Sequence, residues 1–196
     1  MSDPLRPYWD FDDLDATEAR FRDLRAEALT QLARVAGLRD DFESGDRLLD
    51  EVTEGSARVR VRVDLERGRL RRSSGDNFAA LPFFERAFEA AVAAGEHWLA
   101  GDAAHMAALA APDRDSFEAW TKRGLELTRS SEDAAYWEGP LLNNLGGQHM
   151  DAREFEQALA VFEQALVVRL RYPDNPTAID LAREAVAEAR QALGRA

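Results

Sequence analysis

LNNLGGQH at residues 142–149 is followed by Phe155, Ala158, Phe162 and Ala165. The first stretch places Leu142, Leu145 and His149 on one side of a helix, around the small residue Gly146. The second stretch places aromatic residues and alanines on one face of another helix. Small residues let two antiparallel helices approach closely, and large residues fill the space beside them. The segment therefore predicts a tightly packed helix pair.

The same spacing of small and large residues recurs upstream. The anchor positions, which hold the small residue of the first helix in most copies, are Ala33, Gly68, His105 and Gly146. A second-helix packing position follows each anchor after 19 residues, at Val52, Ala87, Gly124 and Ala165. The anchors lie 35, 37 and 41 residues apart, against about 34 in a common helix-pair repeat. This agreement favours four repeats over a helical bundle with a chance match.

The pattern resembles the tetratricopeptide repeat (TPR), and its long intervals resemble the kinesin-light-chain type of that repeat. The resemblance covers roughly residues 16–172 and is clearest in the last copy. His149 stands where the family usually has Tyr, and Arg153 replaces the customary turn glycine. The resemblance implies an all-α protein, an α-solenoid of about four TPR-like helix pairs in a right-handed superhelix. In such proteins the first helices line a concave groove that usually binds peptides.

Two end pieces flank the predicted repeats. We expect an extended N-terminal segment at residues 1–15, a helical repeat domain at 16–174 and a C-terminal capping helix at 175–196. Asn175 and Pro176 suit an N-cap and a first helical residue. An apolar stripe then recurs at helical spacing, as a helix that covers the last repeat requires. Its members are Ile179, Ala182, Val186, Ala189 and Leu193.

Residues 58–63 read Arg-Val-Arg-Val-Arg-Val, a strict alternation that is typical of a strand. They lie where the first helix of the second copy must begin, so we predict a helix there. Asp64, Arg67 and Arg71 occupy positions of that copy where apolar packing residues are expected.

Composition limits the function classes. The 196 residues carry a net charge of −12, which argues against binding to nucleic acid or an anionic membrane. No apolar run is long enough to cross a bilayer, and residues 1–4 lack the features of a secretory signal. These features predict a cytoplasmic protein. Of the 25 basic residues only Lys122 is lysine, a usage that resembles GC-rich bacterial genomes.

No catalytic constellation is recognisable. Cysteine is absent, and the chain has no phosphate loop, dinucleotide fingerprint or nucleophile elbow. His105 and His149 are expected on neighbouring first helices, but no carboxylate lies at an offset that completes a metal site. We therefore expect no enzyme activity, no metal and no cofactor.

The candidate groove follows from the resemblance, on the first-helix face beside each anchor. Asn143 and Asn144 precede Leu145-Gly146, and a side-chain amide offers both a donor and an acceptor to a peptide backbone. Hydration of a helix surface explains the pair equally well. Leu65 and Leu109 lie on the same face as the polar candidates. The predicted peptide-binding residues are Gln31, Arg34, Arg62, Glu66, Arg69, Arg72, Asp102, Met106, Asn143 and Asn144.

Residues 57–72 hold seven arginines against two acids. A basic groove on an acidic body favours an acidic peptide or protein partner. The alternative is that these arginines pair with carboxylates of neighbouring helices, and the sequence leaves both interpretations open. The acidic, aromatic residues 9–15 are a candidate occupant, from the same chain or from another copy.

The expected function is a non-enzymatic scaffold that binds a peptide or protein in its concave groove. The alternative is a regulatory sensor module for a small peptide signal or metabolite. A homo-oligomer is compatible with either function.

Overall fold

The computed structural model describes residues 3–194. Over that range the chain forms nine α-helices and no strand, so the predicted all-α class is confirmed. Two compact units divide the chain, with a boundary between Gly95 and Glu96. Each unit is built from helices that pack against their neighbours in sequence.

The first unit contains four α-helices after a short 3₁₀-helix at Arg6–Tyr8. They are α1 (Leu14–Gly37), α2 (Phe42–Asp50), α3 (Ala57–Ser73) and α4 (Asn77–Ala93). Helix α1 packs on α2 and α3, and α3 packs on α4.

The second unit contains five α-helices and a 3₁₀-helix at Glu132–Trp137. The helices are α5 (His97–Ala110), α6 (Arg114–Ser130), α7 (Glu138–Asp151), α8 (Phe155–Arg169) and α9 (Pro176–Ala192). The 3₁₀-helix accounts for the longer interval before the last anchor.

The helix boundaries keep a common register with the anchor positions. The second helix of every pair begins nine residues after its anchor, at Phe42, Asn77, Arg114 and Phe155. The N-cap before each of them is acidic: Asp41, Asp76, Asp113 and Glu154. The side-chain carboxylates of Asp41, Asp76 and Asp113 each accept a hydrogen bond from a backbone amide of the first turn, whereas Glu154 makes no such bond. All four acidic side chains complement the positive end of the helix dipole.

The turn between the paired helices recurs in three of the four pairs. Asp40, Gly75 and Arg153, each seven residues after an anchor, have positive φ angles of 61°, 91° and 59°. This left-handed conformation suits glycine and costs other residues free energy. Arg153, which replaces a glycine of the expected pattern, therefore keeps the turn geometry at some energetic cost.

Two pairs show the same small–large contact. A Cβ atom on Gly68 would lie 2.5 Å from Cε1 of Phe84, and a Cβ on Gly146 would collide in the same way with the ring of Phe162. Both phenylalanines are buried. Only glycine allows this ring to lie directly on the backbone of the first helix, so the helices of each pair approach closely.

Residues 58–63 are helical, as predicted, because they belong to α3. Val59 and Val61 are both fully buried within this helix. The alternation of Arg and Val therefore does not indicate a strand here. The charged residues of α3 at expected apolar positions form ion pairs with neighbouring helices. Arg67 lies 2.6 Å from Asp50, Arg71 lies 2.7 Å from Asp46, and Asp64 accepts from Arg86 at 2.8 Å.

The C-terminal helix predicted at residues 175–196 corresponds to α9. Asn175 is its N-cap and accepts a hydrogen bond from the amide of Ala178 at 3.2 Å, and Pro176 is its first residue. Val186 and Ala189 pack with Ala158 and Phe162 in one apolar cluster. The helix therefore covers the apolar surface of α8.

Candidate peptide-binding surfaces

In the first unit, Glu66 of α3 is the centre of the candidate surface. Its side chain is only 3% exposed and lies between two predicted groove residues, at 3.6 Å from Arg34 and 2.5 Å from Arg69. Breaking such a buried ion cluster leaves an uncompensated charge, which is strongly destabilising. The structure thus brings Arg34, Glu66 and Arg69 together, and it gives Glu66 a role as their counter-ion.

Glu27 of α1 is a second counter-ion that the sequence analysis missed. One of its carboxylate oxygens lies 3.1 Å from Nε of Arg58, and the other lies 3.8 Å from Nε of Arg62. Its position four residues before Gln31, on the same face of the helix, was the available signal. Gln31 itself is exposed and donates to the hydroxyl of Thr30 at 3.2 Å.

The arginines of α3 divide into two groups. Five of the seven pair with carboxylates: Arg58, Arg62, Arg67, Arg69 and Arg71. Arg60 donates to the carbonyl of Gly55 at 2.6 Å. Pairing with neighbouring helices, one of the two interpretations left open by the sequence, therefore accounts for most of this charge.

Arg72 differs from the other arginines of α3 because its side chain makes neither an ion pair nor a hydrogen bond with a described residue. Its Nε atom is buried and makes no hydrogen bond to any described residue of the chain. The Nε atom of Arg62 is also buried and makes no hydrogen bond within residues 3–194, although it lies 3.8 Å from the carboxylate of Glu27. Both nitrogens are shielded from solvent, so an acceptor on a ligand reaches them only if the arginine side chains shift.

In the second unit, the predicted residues lie on the first helices α5 and α7. Asp102 of α5 is 8% exposed, whereas Met106, Asn143 and Asn144 are half-buried. The amide nitrogen Nδ2 of Asn144 is buried without a hydrogen-bond partner among the described residues. Of the two asparagines, Asn144 is the one with an unused buried donor.

Residues 8–10 lie against α1. The amide of Asp10 donates to the hydroxyl of Thr17, and that hydroxyl donates to the carbonyl of Asp10, both at 2.8 Å. The ring of Trp9 packs edge-on against Phe21, with centroids 5.4 Å apart. Docking of residues 9–15 onto the arginines of α3 stays a prediction, because the observed ring and polar contacts of Trp9 and Asp10 are local.

A polar cluster joins α6, α7 and α8 in the second unit. Arg114 donates to both carboxylate oxygens of Glu154, at 3.1 and 2.8 Å, and His149 Nδ1 lies 2.6 Å from Glu154 Oε2. Hydrogen bonds from Arg114 and from His149 lower the pKa of Glu154 to about 2. Hydrogen bonds to Glu154 and Glu118 raise the pKa of Arg114, so this guanidinium stays cationic.

The acid stability of the second unit should depend on Glu154. Because its pKa is lower in the folded chain, Glu154 contributes stability above its unfolded pKa near 4.5 and loses that contribution as the pH falls towards 2. We expect Glu154→Gln to lower the melting temperature at pH 7, and the difference from the wild type to shrink from pH 5 to pH 2. Thermal melts of both proteins across this range measure it. Glu156→Gln is the matched control, and a constant difference for Glu154→Gln at every pH would contradict the linkage.

An aromatic cluster surrounds the 3₁₀-helix of the second unit. Tyr136 packs against Trp98, Trp137 and Tyr172, with ring centroids 5.1 to 5.6 Å apart. His105 lies 5.5 Å from the ring of Trp137. This anchor-position histidine is therefore a packing residue, and no group of three or more potential ligands for a metal ion occurs within residues 3–194.

Comparison with known proteins identifies no relative. No protein-family model matches the chain, and no curated protein or solved structure matches it. Among the described helices, none combines the length and the apolar character needed to span a bilayer.

Proposed function

We propose that this chain is a non-enzymatic TPR-like scaffold that binds a peptide or protein partner through its first helices. The common register of the four helix pairs supports the repeat assignment. The left-handed turn residue that recurs in three pairs also supports this assignment. The contacts of Gly68 with Phe84 and of Gly146 with Phe162 support it as well. The right-handed superhelix is part of this proposal.

One observation carries the binding proposal. The first helices hold buried donors without hydrogen-bond acceptors in the described chain, at Arg72 and Asn144. A buried donor without a partner costs roughly 1–3 kcal/mol. These donors are shielded from solvent, so a ligand acceptor reaches them only when the side chains shift on binding. A ligand that does so regains this free energy.

The chemistry of these donors favours an acidic partner. A guanidinium binds a carboxylate through charge-assisted, often bidentate hydrogen bonds, and an asparagine amide suits a peptide carbonyl. The net charge of −12 repels an acidic ligand at long range. Affinity must therefore come from close contacts, and raising the salt concentration should weaken binding less than it does for a protein that attracts its ligand over distance.

The test is fluorescence anisotropy with labelled peptides rich in Asp and Glu, and with the same peptides carrying Asn and Gln. We expect the acidic set to bind better, and Arg72→Ala to raise Kd by roughly 10-fold, the equivalent of one lost charge-assisted hydrogen bond. Asn144→Ala should weaken binding of both sets. Arg183→Ala and Gln164→Ala, exposed residues on other helix faces, are the matched controls.

The outcomes separate the alternatives. Binding that is lost only in the Arg72 and Asn144 variants supports the scaffold. Equal loss in the control variants, or no difference among all variants, removes these surfaces from the proposal. A thermal shift with small metabolites and none with peptides would instead favour the regulatory sensor.

A further inference from the structure

Helix α1 carries apolar residues on two opposite faces. One face packs on α2 and α3 through the buried residues Ala26, Thr30 and Ala33. The opposite face carries a second apolar stripe at helical spacing. The C-terminal half of this stripe is open to solvent: Leu32 is 52% exposed, Val35 is 41% exposed, and Ala28 is also exposed. Its members are Phe21, Leu24, Ala28, Leu32 and Val35, here called the outer stripe.

The chain covers only the first part of the outer stripe. Tyr8 and Trp9 pack on Phe21, with ring centroids 5.9 and 5.4 Å apart. Trp9 stacks in turn on Phe11. Trp9 and Phe11 remain 42% and 65% exposed, so they extend the apolar surface instead of ending it. The two hydrogen bonds between Asp10 and Thr17 fix the position of the N-terminal aromatic residues Tyr8, Trp9 and Phe11.

We propose that the outer stripe pairs with the same stripe of a second copy of the chain, antiparallel and about a two-fold axis near Ala28. The stripe contains none of the donors invoked for peptide binding, so the two proposals are tested separately. A two-fold interface must be self-complementary, and closed two-fold dimers are the commonest homo-oligomers.

The spacing of the stripe meets that requirement. Leu24 and Leu32 lie four residues on either side of Ala28, and Phe21 and Val35 lie seven residues on either side. In an antiparallel pair, Leu24 therefore faces Leu32 of the second copy, and Phe21 faces Val35 of the second copy. The small side chain of Ala28 lets the helix backbones approach at the axis, and the large residues interlock on both sides.

The ends of the helix are compatible with the same arrangement. Val35 of the second copy would lie over Phe21, beside the N-terminal aromatic residues, and so cover the exposed rings of Trp9 and Phe11. Glu18 would come level with Leu38 of the second copy, one residue before Arg39, and Arg39 makes no ion pair within the described chain. The antiparallel direction also places the positive end of each helix dipole beside the negative end of the other.

The absence of cysteine makes a sharp test available. Ala28→Cys introduces a single thiol next to its own copy at the proposed axis, within the distance that a disulfide or a short thiol cross-linker can bridge. We expect covalent dimers on mild oxidation. Leu181→Cys, at a 58% exposed position of α9, is the matched control and should remain largely uncross-linked.

Light scattering after size-exclusion chromatography tests the same interface without a cross-link. The wild type should show a concentration-dependent mass approaching twice the chain mass of 21.9 kDa. Leu32→Glu/Val35→Glu should be monomeric with unchanged helical circular dichroism, because both side chains are exposed, and Leu181→Glu should still dimerise. A wild type that stays monomeric at all concentrations overturns the proposal. So does a dimer that survives Leu32→Glu/Val35→Glu, since another surface then forms it.

Discussion

Replacing Phe84 by Ala lowers the free energy of unfolding by about 3–5 kcal/mol. The ring is fully buried and lies directly on the backbone of α3 at Gly68. Its removal loses the transfer free energy of the side chain and leaves a cavity that two closely packed helices cannot fill. Urea unfolding followed by circular dichroism measures the change, provided that the transition of the first unit is resolved.

Phe78 offers a matched control in the same helix. Its side chain is 90% exposed, so Phe78→Ala should change the free energy of unfolding by no more than about 0.5 kcal/mol. Equal losses for the two alanine variants would show that the packing of Phe84 on Gly68 does not hold the α3–α4 pair together.

Alanine at Gly146 and alanine at Gly147 should have opposite effects on stability. A Cβ at position 146 collides with the ring of Phe162, and such overpacking costs about 1–3 kcal/mol. A Cβ at position 147 meets nothing within 4 Å. Since both residues are inside α7, Gly147→Ala gains the helix propensity of alanine, roughly 0.5–1 kcal/mol.

These adjacent variants control for each other, because the chemical change and the helix are the same. Chemical denaturation of the two proteins gives the sign directly. Gly146→Ala combined with Phe162→Leu should recover part of the loss, since the smaller side chain yields space to the new methyl group. Stabilisation by Gly146→Ala would contradict the close approach of α7 and α8.

Much of the helix-pair organisation follows from local sequence. The anchor positions and the residues 19 places later predicted four pairs, and the second helices begin at one common offset from the anchors. The helix at residues 58–63 was predictable only from this repeat register. Its own alternation indicates a strand, and local periodicity is overridden where neighbouring helices enclose the valines.

The partners of charged side chains were less predictable. The sequence showed an excess of arginine in residues 57–72, but Glu27 lies 31 residues before Arg58 in the chain. Its role as a counter-ion depends on how α1 lies across α3. The same packing decides that Arg72 and Asn144 hold unused buried donors, which no count of charges reveals.

The outer stripe of α1 also combines a feature that the sequence shows with one that only the packed structure shows. Its apolar residues are visible in the sequence at helical spacing, but so are those of the buried face that includes Ala26 and Ala33. Periodicity cannot distinguish a face that packs on α2 and α3 from one that stays open. Only the packed structure shows that Leu32 and Val35 remain exposed while Phe21 receives Tyr8 and Trp9.

The sequence by itself predicted four helix pairs and, in two of them, the small and large residues that pack together: Gly68 with Phe84 and Gly146 with Phe162. These features depend on interactions between residues close in the chain, so short-range spacing encodes them. Val52, predicted to pack in the second helix of the first pair, lies beyond the end of α2 at Asp50. The tertiary structure alone decided which carboxylate meets which arginine, which donors remain without acceptors and which apolar face is open. Each of these depends on the angle and contact between helices that are distant in sequence, and one pattern of residues is compatible with several such arrangements.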